Sequence, residues 1–169
     1  MVTVWATRVL SVVAMCSGVV AGPRTMYVFP GQGIQSQGMG MDGYARSAAA
    51  RSVWDEADAV TTERMGFSIL EIVRDNPTSI EAVGTTYRHP AGVLHLTQFT
   101  QVAMATLALA TVAEMRAAGV FDPTAAVAGH SVGEYNALGA SNGVLTLEGA
   151  IELVFARGLG MHGLVPRDA

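Results

Sequence analysis

Residues 125–135 read AAVAGHSVGEY, and the order of residue types in this stretch decides the fold. Four small apolar residues, Ala125 to Ala128, read as a small-residue strand. Gly129-His130-Ser131-Val132-Gly133 then takes the form G-x-S-x-G, in which a glycine on either side of the serine allows a sharp strand-to-helix turn that a Cβ would obstruct. A helix is expected to follow over about 132–138. A serine on such a turn stands at the positive end of the helix, with its hydroxyl exposed and the Val132 N–H able to face a developing oxyanion. Glycine and serine are common, so the pentapeptide also fits an ordinary strand-to-helix turn. The apolar strand before it and the helix after it favour Ser131 as a nucleophile.

Working upstream, Met26-Tyr27-Val28-Phe29 reads as a short buried strand stopped by Pro30 and the glycine-rich loop PGQGIQSQGMG (30–40). A helix is expected over 44–60 with Val53, Trp54 and Ala57 on one face. FSILEIVRDNP (67–77) predicts a short helix capped by Ser68 and ended ahead of Pro77. Residues 77–95 are irregular and read as a loop with room for one short helix. Thr97 to Ala118 is the longest helical candidate. It carries no charge from Val102 to Ala113, so it should be buried on nearly every side. A last helix is expected over 147–158, with Thr146 as N-cap and Glu148 in its first turn. Strand, helix, strand, helix is the order of an α/β fold with a parallel sheet.

At 169 residues, half of them apolar, the chain suits one domain or a large piece of a bigger one. Charged residues make up 14%, the net charge is −4, and all ten basic residues are arginine. That balance offers no surface for nucleic acid or an anionic membrane. The lone Cys16 cannot form an internal disulfide, and His89, His95, His130 and His162 do not fall at metal-ligand spacings with it. Val2 to Ala21 carries a single charge, Arg8, and ends in small residues, as a secretory leader does. Its apolar run is too short to span a bilayer, and the motifs that follow belong to cytoplasmic chemistry. An accessory N-terminal extension is therefore the favoured reading of residues 1–25.

A nucleophilic serine needs a base. His130 is next in sequence to Ser131, so its side chain should diverge at the turn and pack as a support for the elbow. None of the other three histidines has a position that marks it as the base. Arg157 is more telling. At about 100° per residue, Ala150, Ile151, Leu153, Val154, Phe155 and Met161 fill one arc of the last helix, and Arg157 lies inside it. An arginine on a buried face needs an anionic partner: either a core carboxylate, or a substrate carboxylate held by two parallel hydrogen bonds. Gln101 shares a helix face with Met104, Ala108, Val112 and Met115, and its amide must likewise find partners in the structure or in a site.

FPGQG (29–33), TQ (100–101), GHSVGEY (129–135) and Arg157 occur together in an order that resembles the acyltransferases moving malonyl groups from coenzyme A to acyl carrier protein. QGMGMD (37–42), GFSILEIVRDNP (66–77) and LTQFTQ (96–101) are similar to the malonyl/palmitoyl transferase domain of type I fatty acid synthases, mycobacterial and fungal. The resemblance runs from Met26 to the end and leaves residues 1–25 unmatched. It implies the α/β-hydrolase-like large subdomain of an acyltransferase, without the ferredoxin-like small subdomain. Ser131 would be the acylated nucleophile, with the backbone N–H groups of Gln32 and Val132 as the oxyanion hole. Arg157 would bind the malonyl carboxylate with Gln101 lining the pocket, and Gly129, His130 and Gly133 would support the elbow.

The resemblance implies no bound cofactor: a coenzyme A thioester is the substrate and the phosphopantetheine arm of acyl carrier protein the acceptor, beside other fatty acid synthase domains. The family's catalytic histidine lies downstream of the arginine, beyond Ala169, which implies an incomplete and inactive piece. Ile34 stands where the wider family commonly has serine. Two other readings remain open: a serine esterase, which would need an acid and then a histidine after Ser131, and a non-catalytic piece of a multidomain synthase.

Overall fold

The computed structural model describes residues 25–141 and 144–164. The extension or leader expected over residues 1–25 therefore lies, apart from Thr25, outside the described residues. Strand β1 (Met26–Phe29) is followed by helices α1 (Met41–Arg46), α2 (Ala48–Met65) and α3 (Ile69–Asp75), and then by the hairpin β2 (Ser79–Ala82) and β3 (Thr85–Arg88). A 3-10 turn (Val93–His95) leads into α4 (Thr97–Ala117), β4 (Ala126–Gly129), α5 (Val132–Ala140) and α6 (Leu147–Leu164). β1 and β4 pair in parallel, Met26 opposite Ala126 and Phe29 opposite Gly129, as the strand–helix order requires. Among the described residues no helix is long and apolar enough to cross a membrane.

Helix α4, uncharged from Val102 to Ala113, is the central rod, with α2, α5 and α6 packed around it. Its buried threonines cost little, because Thr106 donates to the Val102 carbonyl and Thr100 to that of Leu96, one turn back. Trp54 of α2 packs in the same core, where Phe67, Phe99 and Phe155 form an aromatic cluster with ring centroids 4.9–6.3 Å apart. α6 approaches α4 so closely that a Cβ on Gly158 would stand 2.4 Å from the Cα of Gln98. Gly158→Ala is accordingly expected to push α6 off α4 and to lower stability by about 1–3 kcal/mol, read from the midpoint of a urea melt. An unchanged midpoint would show that the helices have room to give.

Three expectations are corrected. The helix expected over 44–60 is two helices, because Ser47 takes an extended conformation and its hydroxyl accepts the Ala50 N–H, ending α1 and capping α2. The segment 77–95 holds a β-hairpin rather than a loop with at most one short helix. Its tight turn uses Val83 and Gly84, both at positive φ, and Val83 is an unusual residue there. The last helix continues to Leu164, and two members of its supposed buried arc, Leu153 and Met161, are each 41% exposed. Ser68 caps α3 as expected, accepting the Glu71 N–H while its own hydroxyl donates to Asp58.

The two-stranded parallel sheet carries helices on one face. Tyr27, Phe29 and Val127 pack against α4 and α5, while Met26 and Val28 alternate to the other side, where Val28 is 59% exposed. Along β1 runs a groove of about 760 Å³ whose walls include Met26, Val28, Leu107, Met115 and Val120. The approach to β4 is tied to β1 through Tyr27, whose ring stacks on Phe121 at 4.7 Å and whose hydroxyl accepts the Asp122 N–H. The hydroxyl and N–H of Thr124 donate to the Asp122 carboxylate and hold it below the ordinary aspartate range.

Candidate active site

The site begins where β4 ends. Ser131 caps α5 at φ 56°, ψ −119°, a conformation that side chains with a Cβ rarely adopt. The turn stays closed because both flanking glycines lie against backbone. A Cβ on Gly129 would stand 2.0 Å from the Gly133 carbonyl oxygen, and one on Gly133 would stand 2.2 Å from that of Phe29. The elbow thus rests directly on the end of β1 and on the loop that follows it. The Gly133 N–H donates to the His130 carbonyl and the His130 N–H to that of Phe29. The Arg116 guanidinium, donating to the Ala140 carbonyl, anchors the far end of α5 to α4.

Three of the residues singled out from the sequence meet here. Arg157, half-buried on α6, donates through Nη1 to Gln101 Oε1 at 2.7 Å and through Nη2 to Ser131 Oγ at 3.1 Å. Gln101 is wholly buried on α4, and its Nε2 donates to the Met161 thioether at 3.4 Å. That second contact orients the amide so that its oxygen faces the guanidinium. No carboxylate of the described residues pairs with Arg157; the salt bridges of the helical layer are elsewhere, joining Arg46 to Asp42 and Glu114, and Arg64 to Glu148 and Glu152. The alternative of a salt bridge to a core carboxylate is therefore not what occupies this cation.

Val132 is buried as the first residue of α5, so its N–H is among those a helix leaves without an internal acceptor. Gln32 is exposed in the loop after β1, which the Gly133 contact holds against the elbow. His130 departs from expectation. Its side chain is exposed, not packed, and lies over Gly31, where a Cβ would come within 2.7 Å of Nδ1; only its backbone braces the turn. The hydrogen bond at the Ser131 hydroxyl comes from Arg157 and not from a histidine. His162 meets the Tyr87 ring edge-on at 5.6 Å, and His89 faces His95 at 5.6 Å.

Tyr135 and Met161 were not singled out from the sequence. The Tyr135 ring lies beneath the Arg157 guanidinium, 5.3 Å from centroid to carbon. Its position four residues after Ser131, one turn along the same helix face, was the signal available for it.

The family model described as acyl transferase domain matches residues 26–169. The fatty acid synthase subunit beta of Schizosaccharomyces pombe is 37% identical over 187 aligned residues, which take in 86% of this chain and 9% of that one. Among solved structures, the acyl-carrier-protein S-malonyltransferase of Bartonella henselae is 33% identical with a TM-score of 0.67, covering 83% of this chain and 40% of its own. A malonyl-transacylase solved in complex with a type II polyketide synthase acyl-carrier protein is 32% identical with a TM-score of 0.66, again over 83% of this chain and 40% of its own. The chain thus spans well under half of the relatives it matches. With the serine elbow, the inward arginine and these matches in agreement, the chain belongs to the acyl transferase domain family.

Proposed function

We propose that the chain is the nucleophile-bearing part of an acyltransferase that moves malonyl between coenzyme A and acyl carrier protein through an acyl-serine, in fatty acid biosynthesis. The observation that carries this reading is a cation with no carboxylate partner among the described residues, held 3.1 Å from an elbow-mounted hydroxyl. Ser131 Oγ attacks the thioester carbonyl and loses its proton to a base. The tetrahedral oxyanion is met by the N–H groups of Val132 and Gln32, and the C–S bond breaks to release coenzyme A as its thiol. The phosphopantetheine thiol of the carrier protein then attacks the acyl-serine ester, and the serine recovers its proton. Arg157 receives the free carboxylate of the malonyl group.

In this reading the elbow and sheet are part of an α/β-hydrolase-like large subdomain. An esterase of the hydrolase type has less support, since among the described residues no acid–histidine pair meets Ser131.

Selectivity tests the assignment. Arg157→Ala is expected to weaken binding of malonyl-CoA by roughly 10- to 100-fold, the worth of one charge-assisted contact, while changing acetyl-CoA binding little. In an active acyltransferase carrying this sequence, the same substitution should reduce malonyl transfer far more than palmitoyl transfer. Equal losses for both acyl groups would assign Arg157 a structural role instead.

A further inference from the structure

We infer that Tyr135 is a positioning residue that sets selectivity for acyl groups bearing a carboxylate, by holding the Arg157 guanidinium on its ring. The inference rests on the malonyl reading above and adds to it the question of how a cation with no carboxylate partner among the described residues is kept in place. Arginine loses considerable rotamer freedom when fixed, and a half-buried guanidinium without an acid beside it has reason to turn toward water.

The usual anchor, a protein carboxylate, would neutralise the charge and occupy the N–H edges that a substrate carboxylate needs. The arrangement here leaves the charge in place, because its hydrogen-bond acceptors, Gln101 Oε1 and Ser131 Oγ, are neutral. The Arg157 guanidinium carbon lies over the Tyr135 ring, 5.3 Å from its centroid, and the Gln101 carbonyl oxygen takes Nη1. An aromatic face attracts the cation without neutralising it. Nη2 is directed at Ser131 Oγ, next to the carbon that the nucleophile would attack. Because Ser131 caps α5 and Tyr135 lies one turn on, the helix that positions the nucleophile also positions the arginine's support. The ring is half-buried and also packs against the main core, so it is not free to swing away.

The test is calorimetric binding of malonyl-CoA and acetyl-CoA to the 169-residue chain in a Ser131→Ala background, where no acyl-serine can form. Tyr135→Phe keeps the ring face and should keep the preference for malonyl-CoA. Tyr135→Leu and Tyr135→Met, which lack it, should weaken malonyl-CoA binding about 5- to 10-fold and leave acetyl-CoA within about twofold. The two aliphatic variants together guard against one of them failing to fold, and thermal melts verify that each is folded. Equal weakening of both ligands, or failure of Tyr135→Phe to rescue, overturns the assignment by showing a packing role. A malonyl preference that persists unchanged in the aliphatic variants also overturns it while leaving the malonyl reading intact. If the Ser131→Ala chain shows no preference for malonyl-CoA, both fall together.

Discussion

Gly133→Ala is expected to remove more than about 3 kcal/mol of stability, a large share of what a domain of this size has. The added methyl would sit 2.2 Å from the Phe29 carbonyl oxygen and 2.8 Å from both the Phe29 carbonyl carbon and the Pro30 carbonyl oxygen. These are backbone atoms of a paired strand and cannot rotate aside as a side chain would. Gly129→Ala meets the same obstacle, 2.0 Å from the Gly133 carbonyl oxygen and 2.4 Å from the Glu134 nitrogen. Gly160→Ala supplies the contrast: it lies in α6 with nothing within 4 Å of the added carbon, and should stabilise the chain by about 0.5–1 kcal/mol through helix propensity. Urea melts of the three variants read the outcome. A Gly133→Ala chain with an unaltered midpoint would show that the elbow does not depend on contact between α5 and β1.

The second large effect divides stability from chemistry at one residue. Ser131→Gly and Ser131→Ala both remove the hydroxyl, so both should lower acyl transfer from malonyl-CoA by more than about 10³-fold in an acyltransferase domain that carries this sequence with its base. Their stabilities should differ. At φ 56° the alanine variant keeps the strain of the elbow and the glycine variant releases it, so the glycine variant is expected to be more stable by about 1–2 kcal/mol. Acyl label retained through denaturation by Ser131→Ala would remove Ser131 from the mechanism. Equal stability of the two variants would remove the strain.

Much of this architecture was legible in the sequence because local and global preferences coincide. The positions of the four-residue apolar strands, the serine cap at Ser68 and the uncharged stretch of α4 were each readable. The burial expected of the strand over 26–29 was not met, because only one of its faces is packed and Met26 and Val28 are exposed. The hairpin was hidden because its turn is Val83-Gly84, not asparagine–glycine, and because its strands are mostly polar and exposed. Ser47 could equally have been read as a residue inside one long amphipathic helix; only the extended backbone it adopts separates α1 from α2. In the site, Arg157 and Gln101 stood out as polar residues on apolar helix faces, a pattern that carries its own physical demand. Tyr135 carried no such demand, since an aromatic residue at a core position needs no further partner to account for it. Leu153 and Met161 were misplaced because a helical wheel knows the periodicity of one helix but not how much of its circumference neighbours cover.

The exposed side chains of β1 have a consequence for behaviour in solution. Met26 and Val28 are both exposed, with no charged side chain between them along the strand. Sulfate and similar excluded salts strengthen contact between such surfaces, whereas cooling weakens it. Turbidity should therefore rise with ammonium sulfate and fall on chilling, and Val28→Glu should raise the salt concentration at which clouding begins.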